Sequence, residues 1–477
     1  MGVMGFKTKL SELKSDQYLR CDTDFLEFNK TVGTANRYLK NFVPVFETGK
    51  PITKQDYSDN GDTTEYIHLV VRNIKNGVLN LDDPIYINEE KGEALKQFKI
   101  ESGDIVVAIS ANCGSAFYFD EVIEDYQLTL SHYLSKFKVN PENLNPRLLV
   151  YYLNSKTIQK YFRATETGKT QKNLSKTYLR ELPIFLPADV EQQNELLNTI
   201  TPIENVISEL KLQVVNPVEI INQVFGETFG FDWEEFENIK QEKTYTSSIT
   251  SFANNIDCRM GTRFHNKAGV YIQSFLENLT DKRIKDFISE PIVLGKSVSP
   301  KDYDEDGEYF YIAMSNIKTW AFDPKDCKKV SDEYSSSNLN KTIQKGDILL
   351  ARSGEGTIGK VALIEDEEIN GIFADFTQKI RLTGFDPLCA YYYFRSDFFQ
   401  YLVYTHKKGL GNNTNIFPSQ IKEFPMPDWD ATKQAEIVEA IKTKLDEQRV
   451  IDRQIEEKQK AISKIIDEVI TAEQSNA

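Results

Sequence analysis

Short apolar runs separated by glycine-containing turns occupy two stretches of the chain. Runs of this length between turn residues predict β-strands. An aromatic segment with helical character follows the runs in each stretch, so both stretches are expected to place β structure before helix. The runs are 66–71 and 105–109 in the first stretch and 309–312 and 348–351 in the second, and the aromatic segments are 148–153 and 390–394.

Each stretch then changes to an apolar repeat of three and four residues, which predicts an amphipathic helix. The first helix is expected to kink at Pro202 and to be interrupted at Asn216 and Pro217. The C-terminal helix, of about 40 residues, would be roughly 60 Å long. Because each helix carries one apolar stripe, we expect the two stripes to cover each other. The stripe residues are Leu196, Ile200, Ile203, Ile207, Leu210 and Val214 in the first helix and Ile437, Ile441, Leu445, Ile451, Ile455, Ile462, Ile466 and Val469 in the second.

The two stretches are copies of one another. Residues of the first half return in the second half in the same order, and the separation between partners changes by only a few residues. A repeat of this length predicts two homologous domains. We therefore expect an α+β fold with two mixed α/β domains at 1–188 and 231–428, separated by helical spacer regions at 189–230 and 429–477. Matching pairs are Gly49 and Gly295, Asn73 and Asn316, Asp104 and Asp347, Asn173 and Asn415, and Gln193 and Gln434.

The composition is that of a globular protein, with 40% hydrophobic and 27% charged residues among 477. The net charge of −15 argues against a nucleic-acid partner for the surface as a whole. Basic residues are nevertheless concentrated in 163–180 and 405–422, which is compatible with a polyanion bound at defined places. No apolar run approaches the roughly 18 residues of a membrane span, so no membrane partner is expected.

Five scattered cysteines and four histidines indicate a reducing cytoplasm and no zinc site. We expect no cofactor. The sequence has no G-x-x-x-x-G-K-[ST] loop for ATP and no N-P-P-F/Y loop of an adenine methyltransferase. The D-x-K triplet at Asp326, Cys327 and Lys328 has no evident partner for a nuclease metal site.

One glycine pattern suggests a different function. Gly354, Gly356 and Gly359 fit G-x-G-x-x-G, the spacing that binds a dinucleotide pyrophosphate when a helix begins at the third glycine. Here the apolar run 361–364 and an acidic turn follow instead, which predicts a second strand. We interpret the pattern as a glycine-rich hairpin. The alternative is a nucleotide- or cofactor-dependent enzyme that uses this motif. It predicts that ATP, NAD or S-adenosylmethionine stabilises the protein in a thermal-shift titration.

The repeat with its intervening helices resembles the specificity subunit of Type I restriction-modification systems. The resemblance implies that the two long helices pair as an antiparallel coiled coil. The resemblance extends over nearly the whole chain and includes the G-D-I-L-x-x-R-S-G-x-x-x-I-G-K-V-A-L-I run at 346–364. It also includes the proline-bounded segments 182–187 and 424–427 that lead into the helices. The first half departs from the pattern at 110–114, where the arginine is missing, and the second half has Lys433 in place of a glutamate.

The resemblance implies a non-catalytic subunit that recognises a bipartite double-stranded DNA target. It would place that target against two adenine-methylating subunits and, in a restriction complex, against translocating subunits. Each domain would be a target recognition domain for one half-site. A duplicated scaffold that binds protein instead of DNA is the remaining alternative, and salt-dependent binding to duplex DNA would distinguish the two.

Candidate DNA-contacting residues follow from the chemistry of the bases and the backbone. Arg, Lys, Asn and Gln donate to base edges, and lysines also bind phosphate. Two polar loops at equivalent places in the repeat supply such groups, and the glycine hairpin with the strand after it supplies a second set. The loop residues are Lys169, Gln171, Lys172 and Asn173 in the first domain and Lys407, Lys408, Asn412, Asn413 and Asn415 in the second. The hairpin set is Arg352, Ser353, Lys360, Lys379 and Arg381.

Overall fold

The computed structural model describes residues 35–58, 64–75, 77–81, 84–120, 126–167, 172–242, 244–253, 259–317, 319–354, 356–409 and 413–476. They form two compact units. Unit 1 contains the described residues up to Gln213 together with those from Asp452 onward, and unit 2 contains Val214–Ile451. The four regions predicted from the sequence are thus grouped differently, because each unit includes part of the helical segments.

Unit 1 is built on a four-stranded antiparallel sheet. The strands of unit 1, in the sheet and outside it, are β1 (Glu47–Thr48), β2 (Tyr66–Leu69), β3 (Ile74–Lys75), β4 (Val78–Leu79), β5 (Asp104–Ala108), β6 (Ala116–Phe119), β7 (Gln127–Leu130) and β8 (Leu134–Phe137). The sheet has the order β1-β8-β5-β6, while β2 pairs with β7 in parallel and β3 with β4. Every residue of β5 is buried, so this strand lies at the centre of the unit.

Helices cover the sheet of unit 1. They are α1 (Glu89–Leu95), α2 (Pro146–Asn154), α3 (Lys156–Thr165), α4 (Lys176–Arg180) and α5 (Val190–Lys211). The aromatic segment predicted to be helical is α2, and its Tyr152 is fully buried. The Tyr152 hydroxyl donates to the carbonyl oxygen of Pro183 at 2.6 Å, which joins the helix to the proline-bounded segment. This aromatic residue therefore belongs to the core, and its hydroxyl has the hydrogen-bond partner that a buried tyrosine needs.

Unit 2 repeats this construction. Its strands are β9 (Val293–Leu294), β10 (Tyr309–Ile312), β11 (Lys328–Val330), β12 (Ile348–Ala351), β13 (Val361–Leu363), β14 (Gly371–Phe373) and β15 (Thr377–Ile380). The antiparallel sheet β13-β12-β15-β9 corresponds to β6-β5-β8-β1 of unit 1. A second sheet has the order β11-β10-β14, and its β10 and β14 are parallel, as β2 and β7 are.

The helices of unit 2 include four that have no counterpart in the described part of unit 1. The full set is α6 (Pro217–Phe229), α7 (Trp233–Gln241), α8 (Ile249–Ala253), α9 (Lys267–Leu279), α10 (Asp332–Ser337), α11 (Pro387–Arg395), α12 (Asp397–His406), α13 (Pro418–Ile421) and α14 (Ala431–Asn476). Helices α6, α7 and α9 supply aromatic and aliphatic residues to the core of unit 2, where Phe225 and Phe236 are fully buried.

Repeated polar residues have the same structural role in both units. Gln193 is 0% exposed, and its side chain accepts from the Asn145 N–H at 2.8 Å and donates to the Pro187 carbonyl at 2.8 Å. Gln434, 3% exposed, makes the equivalent pair of bonds to the Asp386 N–H and the Trp429 carbonyl. Buried amides need such partners. The repeat found in the sequence is therefore confirmed at the level of individual hydrogen bonds.

The long C-terminal helix α14 divides its apolar stripe between the two units. Ile437 and Ile441 belong to the hydrophobic core of unit 2. Ile466 and Ile470, which are 0% and 1% exposed, lie in the part that belongs to unit 1. The interruption expected at Asn216 and Pro217 is confirmed, since α5 ends at Lys211 and α6 begins at Pro217 with Asn216 as its N-cap. Pairing of the two long helices as a coiled coil stays a prediction.

Candidate nucleic-acid interface

The glycine pattern of unit 2 forms a hairpin. Strands β12 and β13 pair in antiparallel register, from Ile348 opposite Leu363 to Leu350 opposite Val361. Gly354 and Gly359 have backbone φ values of +85° and +87°, which residues other than glycine rarely adopt. A strand follows the third glycine, where a dinucleotide site requires a helix. The predicted hairpin is therefore confirmed.

The polar loop of unit 2 packs onto this hairpin. Lys408 and Asn415 close the loop with two reciprocal backbone hydrogen bonds of 2.7 Å. The loop is then joined to the hairpin by the Ile416 N–H, which donates to the Arg352 carbonyl at 2.9 Å, and by the Ser353 hydroxyl, which donates to the Thr414 carbonyl at 3.2 Å. Loop and hairpin therefore form one surface at the end of β12.

Unit 1 has the same arrangement at the end of β5. Thr167 and Asn173 close its loop with two reciprocal backbone bonds of 2.8 Å, and the Leu174 N–H donates to the Ile109 carbonyl at 2.9 Å. The turn after β5 contains Ala111, whose φ of 61° is left-handed like that of Gly354. Both units thus present a polar loop and a tight turn together. Three predicted residues, Lys169, Gln171 and Asn412, lie outside the described residues.

The other predicted loop residues differ in exposure. Lys172 is exposed and forms an ion pair with Glu166 at 3.2 Å, and Asn173 is exposed. Asn413 is also exposed, whereas Lys408 and Asn415 are half-buried. Amide and ammonium groups of both loops therefore reach the surface, and Asn173 and Asn415 occupy equivalent positions of the repeat.

Lys407 does not lie on that surface. It is only 4% exposed, and its ammonium lies 5.3 Å from the centre of the Tyr404 ring. The prediction from the sequence treated the two adjacent lysines as equal, but the chain turns between the end of α12 and the loop. The buried Lys407 ammonium is therefore not part of the proposed DNA-contacting set.

Lys379 and Arg381 of β15 direct their charges into unit 2. Lys379 is 4% exposed, pairs with Glu290 at 2.9 Å and donates to the Thr342 carbonyl at 3.0 Å. The Arg381 guanidinium binds both carboxylate oxygens of fully buried Asp347 at 2.7 Å. These hydrogen bonds raise the pKa of Arg381 above its usual value.

Unit 1 contains the corresponding ion pairs. Lys136 pairs with Asp104 at 3.1 Å and with Glu47 at 3.6 Å, and Lys138 lies 3.9 Å from Asp104. Charges that recur with the same internal partners in both units stabilise the sheet. We therefore also leave Lys379 and Arg381 out of the DNA-contacting set.

The remaining hairpin residues lie near the loop. Ser353 is 8% exposed and is committed to the Thr414 carbonyl, so it joins the two segments. Lys360 is half-buried, and its ammonium lies 5.9 Å from the centre of the Trp320 ring. Arg352 is half-buried at the junction of hairpin and loop. Of these three, Arg352 and Lys360 retain a charged group at the surface.

Two arginines that the sequence analysis did not single out hold the base of the loop. Arg259 donates to the carbonyl oxygens of His406 and Lys407, both at 2.8 Å. Arg263 donates to the carbonyls of Lys407 at 2.9 Å and of Gly409 at 3.1 Å. The His406 and Lys407 carbonyls lie at the C-terminal end of helix α12, where positive groups are favourable. Only the spacing of four residues between the arginines could have drawn attention to them.

Two α+β units of the same construction, each with a basic and amide-rich loop on a tight turn, define a duplicated recognition protein. A sequence model of the family described as "Type I restriction modification DNA specificity domain" matches residues 32–219 and 277–475, well over half of the chain. The chain therefore belongs to this family. It is a DNA-recognition subunit, and the family is not catalytic.

Three solved structures that are similar to this chain are distant from it in sequence. The S subunit of the Type I restriction-modification system from M. genitalium is 14% identical, with a TM-score of 0.35 over 92% of this chain and 96% of that one. The HsdS subunit from Thermoanaerobacter tengcongensis is 12% identical, with a TM-score of 0.28 over 92% and 96%. A chain from a study of type I R-M complex assembly is 13% identical, with a TM-score of 0.40 over 91% and 96%. No curated protein matches the chain.

Among the described residues, none of the helices has the length and apolar character needed to cross a membrane. In the same residues, no cluster of three or more His, Cys, Asp and Glu side chains could hold a metal ion.

Proposed function

We propose that unit 1 and unit 2 each read one half of a bipartite double-stranded DNA target. The observation that carries this proposal is the equivalence of the two surfaces. In each unit a polar loop is fixed by backbone bonds to the turn after the central strand, from Leu174 to Ile109 and from Ile416 to Arg352. The two loops differ in sequence, while the backbone bonds that fix them to the central strand are the same. This arrangement suits two domains that recognise different base sequences.

The proposed contacts are divided by their chemistry. Asn173, Asn413 and Asn415 are suited to base edges, because an amide can accept and donate at adenine N6 and N7. Lys172, Lys408 and Lys360 are suited to phosphates, which fix the position of a protein on the duplex. Lys169, Gln171 and Asn412 belong to the same loops in the sequence and complete the set.

The proposed partners are two DNA adenine methyltransferase subunits and, in a restriction complex, a translocating endonuclease subunit. The chain would position the target for them, as its family membership suggests. We propose that it works in the cytoplasm. Cys113, Cys327 and Cys389 are free thiols, which agrees with a reducing compartment.

The target itself should consist of two short specific runs separated by a constant number of unread base pairs. Sequencing of methylated adenines in host DNA would reveal it. Replacing residues 167–173 should change one run only, and replacing residues 408–415 should change the other. A single contiguous target, or a change in both runs after one replacement, would contradict the assignment of one half-site to each unit.

Charge reversal in the two loops should weaken DNA binding. The double variant Lys172→Glu with Lys408→Glu removes two phosphate contacts and introduces repulsion, so we expect a loss of about 100-fold at ~0.1 M salt and a salt slope smaller by about 2. Fluorescence anisotropy with a duplex containing the target measures both quantities. Lys345→Glu is the matched control, because Lys345 is 57% exposed and lies at the opposite end of β12. Equal binding by the double variant and the control would exclude these loops as the DNA surface.

A further inference from the structure

Arg352 is held in a fixed orientation beside the loop of unit 2. Its Nε donates to the Asp375 carbonyl at 2.8 Å. The guanidinium carbon also lies 5.7 Å from the centre of the Phe376 ring and 5.9 Å from that of Phe417. These distances are within the roughly 6 Å range of cation–π contacts. One nitrogen and both neighbouring rings therefore fix the side chain before any ligand arrives.

The two terminal nitrogens of Arg352 remain available. In the described part of the chain its side-chain contacts are the Asp375 carbonyl and the two rings, and none of them is a carboxylate. Arg381 and Arg147, by contrast, bind Asp347 and Asp120. The flanking Phe376 and Phe417 are themselves 47% and 36% exposed. Arg352 is thus an oriented positive fork between exposed apolar rings, in a chain whose net charge is −15.

Unit 1 has no such group at the equivalent position. The backbone bonds identify Ile109 as the residue of unit 1 that corresponds to Arg352. The backbone N–H of Arg352 donates to the Phe376 carbonyl at 2.9 Å, and the backbone N–H of Ile109 donates to the Tyr133 carbonyl at the same distance. The residue after each loop confirms the match, because Ile416 and Leu174 donate to the Arg352 and Ile109 carbonyls respectively. An isoleucine therefore stands where unit 2 has the arginine, and the two units differ in charge at one defined place.

We propose that Arg352 binds a backbone phosphate of the DNA half-site read by unit 2, and that unit 1 lacks this anchor. The proposal rests on the proposed function. A guanidinium presents two parallel N–H groups that match two phosphate oxygens. Arg352 follows directly from the regular strand β12, whereas the amides suited to base edges lie on the loop. A group fixed to the sheet serves to set position, which is the role of phosphate contacts.

The consequence is an unequal contribution from the two units. A phosphate contact displaces a condensed counterion, so each one steepens the salt dependence of binding by about 0.9 in log–log slope. At this position unit 2 makes one such contact and unit 1 makes none. A duplex that keeps only the half-site of unit 2 is therefore bound more tightly at low salt than one that keeps only the half-site of unit 1.

The test compares the full-length chain with its Arg352→Gln variant on duplexes selected by the wild type from a randomised pool. Binding is measured at several salt concentrations, and the selection is repeated with the variant. We expect affinity to fall about tenfold at ~0.1 M salt, the slope to decrease by about 1, and the selected bases to stay the same. On single half-site duplexes the slope should change only with the half-site of unit 2. Lys345→Gln removes one exposed charge elsewhere in unit 2, and it should leave the affinity, the salt slope and the selected bases unchanged.

Two results would overturn the proposal. A changed base at one position of the target would show that Arg352 reads a guanine, and an unchanged affinity and slope would show that it does not touch DNA. If Arg352→Gln melts early, Arg352→Lys takes its place, because lysine keeps the charge and loses the fork. It should keep the slope and lose part of the affinity, and full affinity would contradict the bidentate contact. A wild-type chain that selects no sequence would instead refute the proposed function.

Discussion

Replacing Ile466 and Ile470 with alanine should lower the free energy of unfolding of unit 1 by about 4–8 kcal/mol. Both side chains are essentially inaccessible, at 0% and 1% exposed, and both belong to the part of α14 that is counted with unit 1. Truncating a buried isoleucine removes apolar contacts and leaves a cavity. A loss of this size is a large share of the ~5–15 kcal/mol that stabilises a typical domain, so unit 1 should unfold.

The same part of α14 also caps a helix of unit 1. The N–H groups of Lys156 and Thr157 begin α3 and have no partner within that helix. They donate to the Ser463 hydroxyl at 3.3 Å and to the Asp467 carboxylate at 3.1 Å. Negative charge is favourable at this end of a helix. Loss of Ile466 and Ile470 should therefore release these caps together with the apolar contacts.

Hydrogen–deuterium exchange resolved by peptide would measure the effect. Peptides from 35–213 should lose protection in the double variant, whereas those from 214–451 should keep it. Lys464→Ala is the control on the same helix, since Lys464 is 78% exposed and its removal should change stability by less than about 0.5 kcal/mol. Unchanged protection of 35–213 would show that unit 1 folds without these contacts.

This dependence of unit 1 on the C-terminus could not be predicted from the sequence. Periodicity shows that one face of α14 is covered, but it does not show what covers it. The simplest expectation was the other long helix. The structure places Ile437 and Ile441 in the core of unit 2, and the buried residue near the C-terminus is Ile470 rather than the predicted Val469, while pairing with the other long helix is still a prediction. Contacts between residues more than 300 positions apart leave no local pattern.

Local chemistry, in contrast, was sufficient for the hairpin. Gly354 and Gly359 are followed by a short apolar run, and both adopt a positive φ that links two antiparallel strands. The repeat also placed the two loops at equivalent positions, and the backbone bonds of Asn173 and Asn415 confirm that equivalence. Strand order and turn position could be predicted because they depend on residues close in the sequence.

The direction of individual side chains required the structure. The sequence places Lys379 and Arg381 in the same candidate set as Arg352, since all three are basic residues on the hairpin or the strand after it. Their partners, Glu290 and Asp347, lie just before strands β9 and β12, far from them in the sequence. The repeat itself could have indicated these ion pairs. The first half has Lys136 and Asp104 at the positions of Lys379 and Asp347, and Lys136 and Asp104 pair with each other. Charges retained together in both copies indicate an ion pair.

Arg381→Ala should therefore reduce stability and not DNA binding. Asp347 is 0% exposed, and removing Arg381 takes away the two 2.7 Å bonds that compensate its charge. Leaving one partner of a buried pair uncompensated costs about 3–5 kcal/mol. Chemical denaturation followed by the fluorescence of the tryptophans, all three of which are in unit 2, would measure the loss. Lys285→Ala is the control in the same unit. Lys285 is 46% exposed and pairs with Glu423 at 2.6 Å, so its removal should cost less than about 1 kcal/mol.

DNA binding separates the internal arginine from the surface one. At a temperature where the Arg381→Ala protein is still folded, its affinity for the target and its salt slope should equal those of the wild type, because the lost charge was neutralised inside the protein. Arg352→Gln should show the opposite result, with a smaller slope and little change in stability. If Arg381→Ala decreased the slope by about 1, Arg381 would have to contact phosphate, and the division between internal and DNA-facing charges would be wrong.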